Sequence, residues 1–199
     1  MPHNGTLTRA AHALHVAALG IWTGGIAMTA AAAAIIFPTV KVLAPTLPGY
    51  AAVPPDEHWL LAAGQVAARI FRVSDSVQLA CGVTTLATAV LLARAHGIGR
   101  TIPARVRAVA LVAAWLMLAF YLAVLAPRMQ TNIEAHWRLS QSGQLAEARV
   151  HEAAFKADHP TSSRVLGGTA LCTLIALVLG AGVPTPRPAA RPPTRQDAA

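Results

Sequence analysis

Charge is what this chain has least of. Eight Asp and Glu and sixteen Lys and Arg make up only 12% of its 199 residues, against roughly 25% in an average soluble domain. With hydrophobic residues at 55%, a water-soluble chain of this size could not cover its surface. Two cysteines exclude a disulfide framework, and no Cys/His spacing of a zinc site is present. The formal charge of +8 does not signal nucleic acid. Its arginines and lysines are scattered around apolar runs and form no face rich in aromatics.

What fills the space left by charge is a set of four long apolar runs. Ala10 to Val40, Ser76 to Ala93, Ala108 to Pro127 and Val165 to Pro186 contain no Asp, Glu, Lys or Arg over 31, 18, 20 and 22 residues. A membrane span needs roughly 20 apolar residues, because the hydrocarbon core is about 30 Å thick and a helix rises about 1.5 Å per residue. Core helices of a soluble bundle would each carry a polar stripe, and Ala108 to Pro127 has none. The expected fold is all-α: an integral membrane four-helix bundle with spans at about 12–37, 75–94, 107–127 and 164–183, and with extra outer-side helices between the third and fourth spans. The bundle takes in residues 1–183.

The short connection Arg94 to Arg107 holds four arginines and no acid. Loops of this kind stay in the cytoplasm. Both termini then lie on that side, giving a multi-pass protein of the cell membrane. The acids agree: seven of the eight fall on the opposite side together with eight basic residues, while the cytoplasmic side holds eight basic residues and Asp197 alone. A cleaved secretory signal is the other reading of the first run, since Arg9 precedes it and alanines follow. Its apolar stretch is about twice the roughly 7 to 15 residues of a signal h-region, which suits an uncleaved span ending at Pro38.

Val42 to Pro55 holds four prolines and reads as an irregular outer loop, with a helix starting over Asp56 to Leu61. Gln65, Arg69, Arg72 and Asp75 or Ser76 recur every three to four residues. They predict that the second helix begins well before the lipid, with one polar flank facing solvent or a partner. Arg128 to Ser163 reads as two outer helices broken near Ser142 and Gly143, lying on the membrane or capping the bundle. Residues 184–199, rich in Pro and Arg, read as a disordered cytoplasmic tail.

Few residues offer chemistry. Gly20 and Gly24 stand four apart in the first span, a spacing that lets a neighbouring backbone approach closely, and Gly25 adjoins them. Trp22 lies at mid-span, where its indole N–H needs a buried acceptor or a water-filled cavity. Cys81 and Cys172 sit at comparable depth, as buried small residues or as a pair. His12 and His15 share a helix face and could offer two imidazoles to one metal ion, with His3 or His96 as a third ligand. No second span carries a histidine for a bis-histidine haem. No hydroxyl has a His or Asp beside it at similar depth for hydrolysis. The expected cofactor is none, and the protein is expected to be no enzyme.

His15, Trp22, Gly24 and Gly25 resemble the opening helix of copper resistance D proteins, a match confined to one helix. From about His12 to Gly180 the chain resembles the domain of unknown function 4149 family, the relatives of transmembrane protein 205. That likeness rests on Trp22, Gly24 and Gly25, on Gly64 followed by Ile70 and Phe71, on Pro127 closing the third helix, and on Phe155, His159 and Ser162 or Ser163 before the fourth. It implies a four-helix integral membrane protein without an established activity, with Phe155, His159, Ser162 and Ser163 as a candidate functional motif. The chain departs from the family where Pro160 follows His159. A proline disfavours helical geometry in the residue before it, so the fourth helix is expected to start after it, with Thr161 or Ser162 as N-cap.

The functional expectation is a non-enzymatic membrane protein supporting transport or envelope physiology, with copper or other metal handling as the alternative. The expected partner is the lipid bilayer, with a second copy of the chain or another membrane protein left open. Topology is directly testable. Reporters fused after Gly97 and after Gly182 should read cytoplasmic and one after Gly143 external; an external signal at Gly97 overturns the orientation.

Overall fold

The computed structural model describes residues 3–96 and 101–181. Five α-helices order the chain: α1 His3–Leu43, α2 His58–His96, α3 Ile102–Phe120, α4 Ala126–Gln141 and α5 Leu145–Ala181. Four helical units are long and apolar enough to cross a membrane: Thr6–Leu43, Pro55–Ala95, Ile102–Gln141 and Leu145–Gly180. One end of the bundle, here the loop end, carries the connections 44–57 and 142–144. The other, the arginine end, carries the start of α1, the α2–α3 connection and the end of α5. The tail 184–199 lies outside the described residues.

The helices overrun the charge-free runs, and this corrects three expectations. Pro38 does not end α1, which continues to Leu43. Pro127 does not close the third helix, because α3 passes into α4 through a π-turn, Tyr121–Leu125, in which the Ala126 N–H donates to the Tyr121 carbonyl. A proline can offer no N–H to the carbonyl four residues back, and the wider turn just ahead of Pro127 lets the helix continue. Pro160 likewise lies inside α5, so Thr161 and Ser162 cap nothing. Its missing hydrogen bond is outweighed because α5 is held on both sides of it, against α4 and against α3. The expected outer-side helices are not seen as separate elements: residues 128–163 continue the long helices of the third and fourth runs past their charge-free parts, on either side of the break at 142–144. Only the break was legible. Gly143, at φ 78°, caps α4 in the left-handed region that glycine adopts without strain.

Helices α1 and α2 pair antiparallel along a seam with a 4-3 spacing. His15, Leu19, Trp22 and Ile26 of α1 are buried, with Thr29 half-buried, facing buried Ser74, Gln78, Cys81, Thr85 and Thr88 of α2. Hydrogen bonds fix the register at both ends: His15 Nδ1 to Thr88 Oγ1 at 2.8 Å, and Thr29 Oγ1 to Ser74 Oγ at 2.8 Å. Between them Trp22 packs with Ile26, Cys81, Ala114 and Leu118. The Thr23 and Thr173 hydroxyls, 2.9 Å apart, tie α1 to α5. Only 6% of the most apolar window of α1 is buried. Its outer face, including Leu14, Ile21, Met28 and Ile35, is exposed and suits lipid.

Close approach occurs at glycines other than those expected. A Cβ at Gly20 or Gly24 would meet nothing within 4 Å, and one at Gly25 only Val77 at 3.9 Å, so these three make no tight contact within the chain. One tight site is Gly82, where a Cβ would stand 2.9 Å from Leu118 Cδ2 and 3.3 Å from Trp115; Gly168 and Gly180 are as close to side chains of α3. Gly82→Leu should lower stability by roughly 1–3 kcal/mol, the usual cost of overpacking, whereas Gly24→Leu should leave thermal stability in detergent unchanged. Equal losses would place a second tight contact at Gly24.

Candidate functional site

The backbones of α2 and α3 come close at few points, Leu118 and Trp115 reaching Gly82 through their side chains, whereas α5 packs closely against both α3 and α4. Toward the loop end this leaves a cavity of ≈ 550 Å³ between α2 and α4, closed by α1 and α5. That volume falls within the range of small-molecule sites, roughly 300–1,000 Å³. Its walls are mainly apolar: Phe37 of α1, Ala67 and Phe71 of α2, Ile133 and Trp137 of α4, Phe155 and Leu166 of α5. Alanines at 33, 34, 67 and 68 keep it open, since larger side chains there would project into it.

Polar groups cluster toward its two ends. At the deeper end, Asp75 of α2 interacts with the Tyr121 hydroxyl at the start of the π-turn, and the buried Asp75 Oδ1 has no hydrogen-bond partner. At the shallower end stand His136 and Glu152. His136 is occupied structurally, its Nδ1 lying 3.0 Å from the Ala148 carbonyl. Glu152 accepts from Arg149 at 2.9 Å and pairs with Lys156 at 2.7 Å, while Arg149 also reaches Glu57 at 2.6 Å. Burial pushes the Glu152 carboxyl up, but the hydrogen bonds from Lys156 and Arg149 more than offset it and hold the group below its ordinary range.

The candidate motif residues converge here. Phe155, His159, Ser162 and Ser163 all line the cavity, as do Gly64 and Phe71. The Phe155 and His159 rings lie 5.7 Å apart, and the Ser163 hydroxyl donates to the His159 carbonyl at 3.0 Å. The polar flank of α2 divides. Gln65 donates to the Tyr50 hydroxyl at 2.7 Å, Arg69 is exposed, and Arg72 and Asp75 reach the cavity.

Among the described residues no third ligand joins His12 and His15. The Thr88 hydroxyl donates to the Thr84 carbonyl at 2.7 Å, so its oxygen accepts from the His15 Nδ1–H and leaves His15 Nε2 as a buried acceptor without a partner. His12 is half-buried one turn away. The side chains of His3 and His96 lie outside the described residues. Among the described residues no three of His, Cys, Asp and Glu are grouped to hold a metal ion. Cys81 and Cys172 are free thiols packed in the core. The acceptor that was one expectation for Trp22 is not found among the described residues: its Nε1 has no partner there, nor has that of Trp115, which meets it edge-on at 6.5 Å.

Spacing alone places Asp75 on the polar flank of α2 and does not single out Tyr121. A signal for Asp75 existed, since it is the one acid between Glu57 and Glu134 and an acid bordering a span is costly unless it serves something. No signal pointed to Tyr121. No family model, curated protein or solved structure matches the chain.

Glu152 links α5 to Arg149 and Lys156 through charge. Because its folded-state pKa is depressed, its contribution to stability is present above the ordinary glutamate range and is lost as pH falls through the folded value. Thermal stability should therefore drop on acidification through and below that range, and Glu152→Gln should flatten the dependence. An unchanged profile in the variant would assign the acid response to other carboxylates.

Proposed function

We propose that the chain is a non-enzymatic, multi-pass protein of the cell membrane, with both termini cytoplasmic, that binds an amphipathic molecule in the cavity between α2 and α4. The observation that carries this reading is the pairing of aromatic and aliphatic walls with one buried, unpartnered carboxylate oxygen, Asp75 Oδ1. Apolar surface supplies most of a ligand's binding energy, and a few placed polar groups orient it. An ionised carboxylate only accepts hydrogen bonds, so the complementary ligand has an apolar body and a donating head such as an amine or hydroxyl. The convergence of Gly64, Phe71, Phe155, His159, Ser162 and Ser163 on one cavity supports treating the residues of the family resemblance as a working set. The asymmetry of arginine between the two ends supports the orientation. Capture of such a molecule is compatible with transport or with envelope physiology.

Trp137 in the cavity wall gives a readout. Titrating detergent-solubilised protein with an alkylamine, an alkanol and an alkanoate of equal chain length should quench tryptophan fluorescence for the first two and least for the third. Ala67→Trp, which fills the cavity, should abolish binding. Asp75→Asn should weaken the amine by about tenfold, the worth of one charge-assisted hydrogen bond. Preference for the alkanoate, or binding unaffected by Ala67→Trp, overturns the site. The metal-handling alternative has a separate test: one equivalent of copper or zinc retained by untagged protein and lost in the double variant His12→Ala, His15→Ala would replace the proposal.

A further inference from the structure

Arg107, in the second turn of α3, differs from every other described arginine. Those are exposed, and Arg107 is partly buried. Its guanidinium lies against the backbone of Gly180 in α5: a Cβ there would stand 2.9 Å from Cζ and Nη2 and 3.1 Å from Nε. Gly180 itself is buried. Only a glycine leaves room for the planar group at this point, so α3 and α5 together form a seat for it.

That seat has no counter-charge among the described residues. Arg107 makes no hydrogen bond or ion pair among the described residues, and its Nε is buried without a partner. The titratable groups it faces across α1 are His15, with His12 beyond it, and both are bases. No Asp or Glu occurs in residues 3–29, 76–96, 101–121 or 164–181, the segments that make this half of the bundle. A partly buried guanidinium is costly unless an anion pairs with it. The chain supplies none from its described residues.

Position identifies the anion. Arg107 immediately precedes the charge-free run Ala108 to Pro127, which sets it at the boundary between hydrocarbon and headgroups, and exposed Arg94 and Arg105 stand at the same end. A basic seat between helices at headgroup height suits a lipid phosphate, and the guanidinium fork matches phosphate oxygens in pairs. We propose that Arg107, seated on Gly180, binds the phosphate of an anionic phospholipid from the leaflet at the arginine end. This site is separate from the α2–α4 cavity and stands whether or not that cavity binds a ligand.

The test uses full-length protein in detergent, titrated with short-chain phosphatidylglycerol, short-chain phosphatidylcholine and inorganic phosphate, with Tm as readout. Phosphatidylglycerol should raise Tm more than phosphatidylcholine does. Arg107→Gln should raise the half-saturating concentration about tenfold, the equivalent of one charge-assisted contact, and Arg105→Gln should leave it unchanged. Gly180→Ala keeps the charge but displaces the guanidinium, and it should weaken the effect in the same direction. It serves as the second variant should Arg107→Gln fold poorly. Equal losses in Arg105→Gln and Arg107→Gln would reduce the effect to diffuse surface charge and overturn the proposal. So would equal responses to the two lipids. Equal protection by inorganic phosphate would overturn the lipid assignment in favour of a free oxyanion. A fall in lipid-free Tm in Asp197→Asn, absent when Arg107 is already Gln, would show that the chain supplies its own counter-charge and would also sink the proposal.

Discussion

The antiparallel seam between α1 and α2 is the contact on which the remaining geometry rests. Lipid tails give helices no hydrophobic reason to associate, so membrane helices are held by close packing and by hydrogen bonds between them. Here the bonds sit near the two ends, His15 with Thr88 and Thr29 with Ser74, and tight packing sits between them, where Trp22 lies over Gly82. Each locks the other. A slip of one residue would separate both hydrogen-bonded pairs and drive the Trp22 ring out of the space that Gly82 leaves. The 4-3 spacing on both helices keeps the seam facing inward over four turns, as in soluble antiparallel pairs.

With that pair fixed, α5 organises the other half. It lies along α4 before Pro160 and along α3 after it, so one long helix spans a partner that is itself two helices joined by a π-turn. The π-turn and the wide spacing of the α2 and α3 backbones have a joint consequence. Tyr121 opens the turn beside Asp75, and above it α4 stands away from α2, which leaves the ≈ 550 Å³ cavity. A wide turn ahead of a proline thus does two things. It keeps the backbone helical where lipid would penalise a break, and it sets a tyrosine hydroxyl against the one acid at the membrane edge.

The two ends of the molecule then differ in chemistry. At the loop end, several charges are paired within the chain: Glu57, Arg149, Glu152 and Lys156 form one network, and Arg128 pairs with Asp158. His58 locks the connection between α1 and α2 by accepting from the Leu47 N–H at 3.1 Å and reaching the Tyr50 and Val53 carbonyls, each at 3.1 Å. At the arginine end the described residues contain no acid at all, and Arg107 is left seated on Gly180 without an anion. One end is closed by its own contacts. The other presents unneutralised positive charge.

The sequence by itself determined four spanning helices, the break at Gly143 and the early start of α2, because burial in lipid imposes a length, a composition and a charge placement that can be counted residue by residue. It also marked Phe155, His159, Ser162 and Ser163, which the structure gathers on one cavity wall. Tertiary structure decided what no count could supply. Prolines 38, 127 and 160 read as helix ends, yet each lies within a continuous helix or helical unit: a π-turn accommodates Pro127, and packing of α5 on α4 and α3 outweighs the hydrogen bond lost at Pro160. Gly20 and Gly24 have the spacing of a packing motif and meet nothing, while Gly82 and Gly180, which carry no such spacing, take the closest contacts. Spacing tells which residues share a face of a helix. Which face meets a neighbour depends on where the other helices stand, and that is set by contacts such as His15 with Thr88 between residues 73 positions apart.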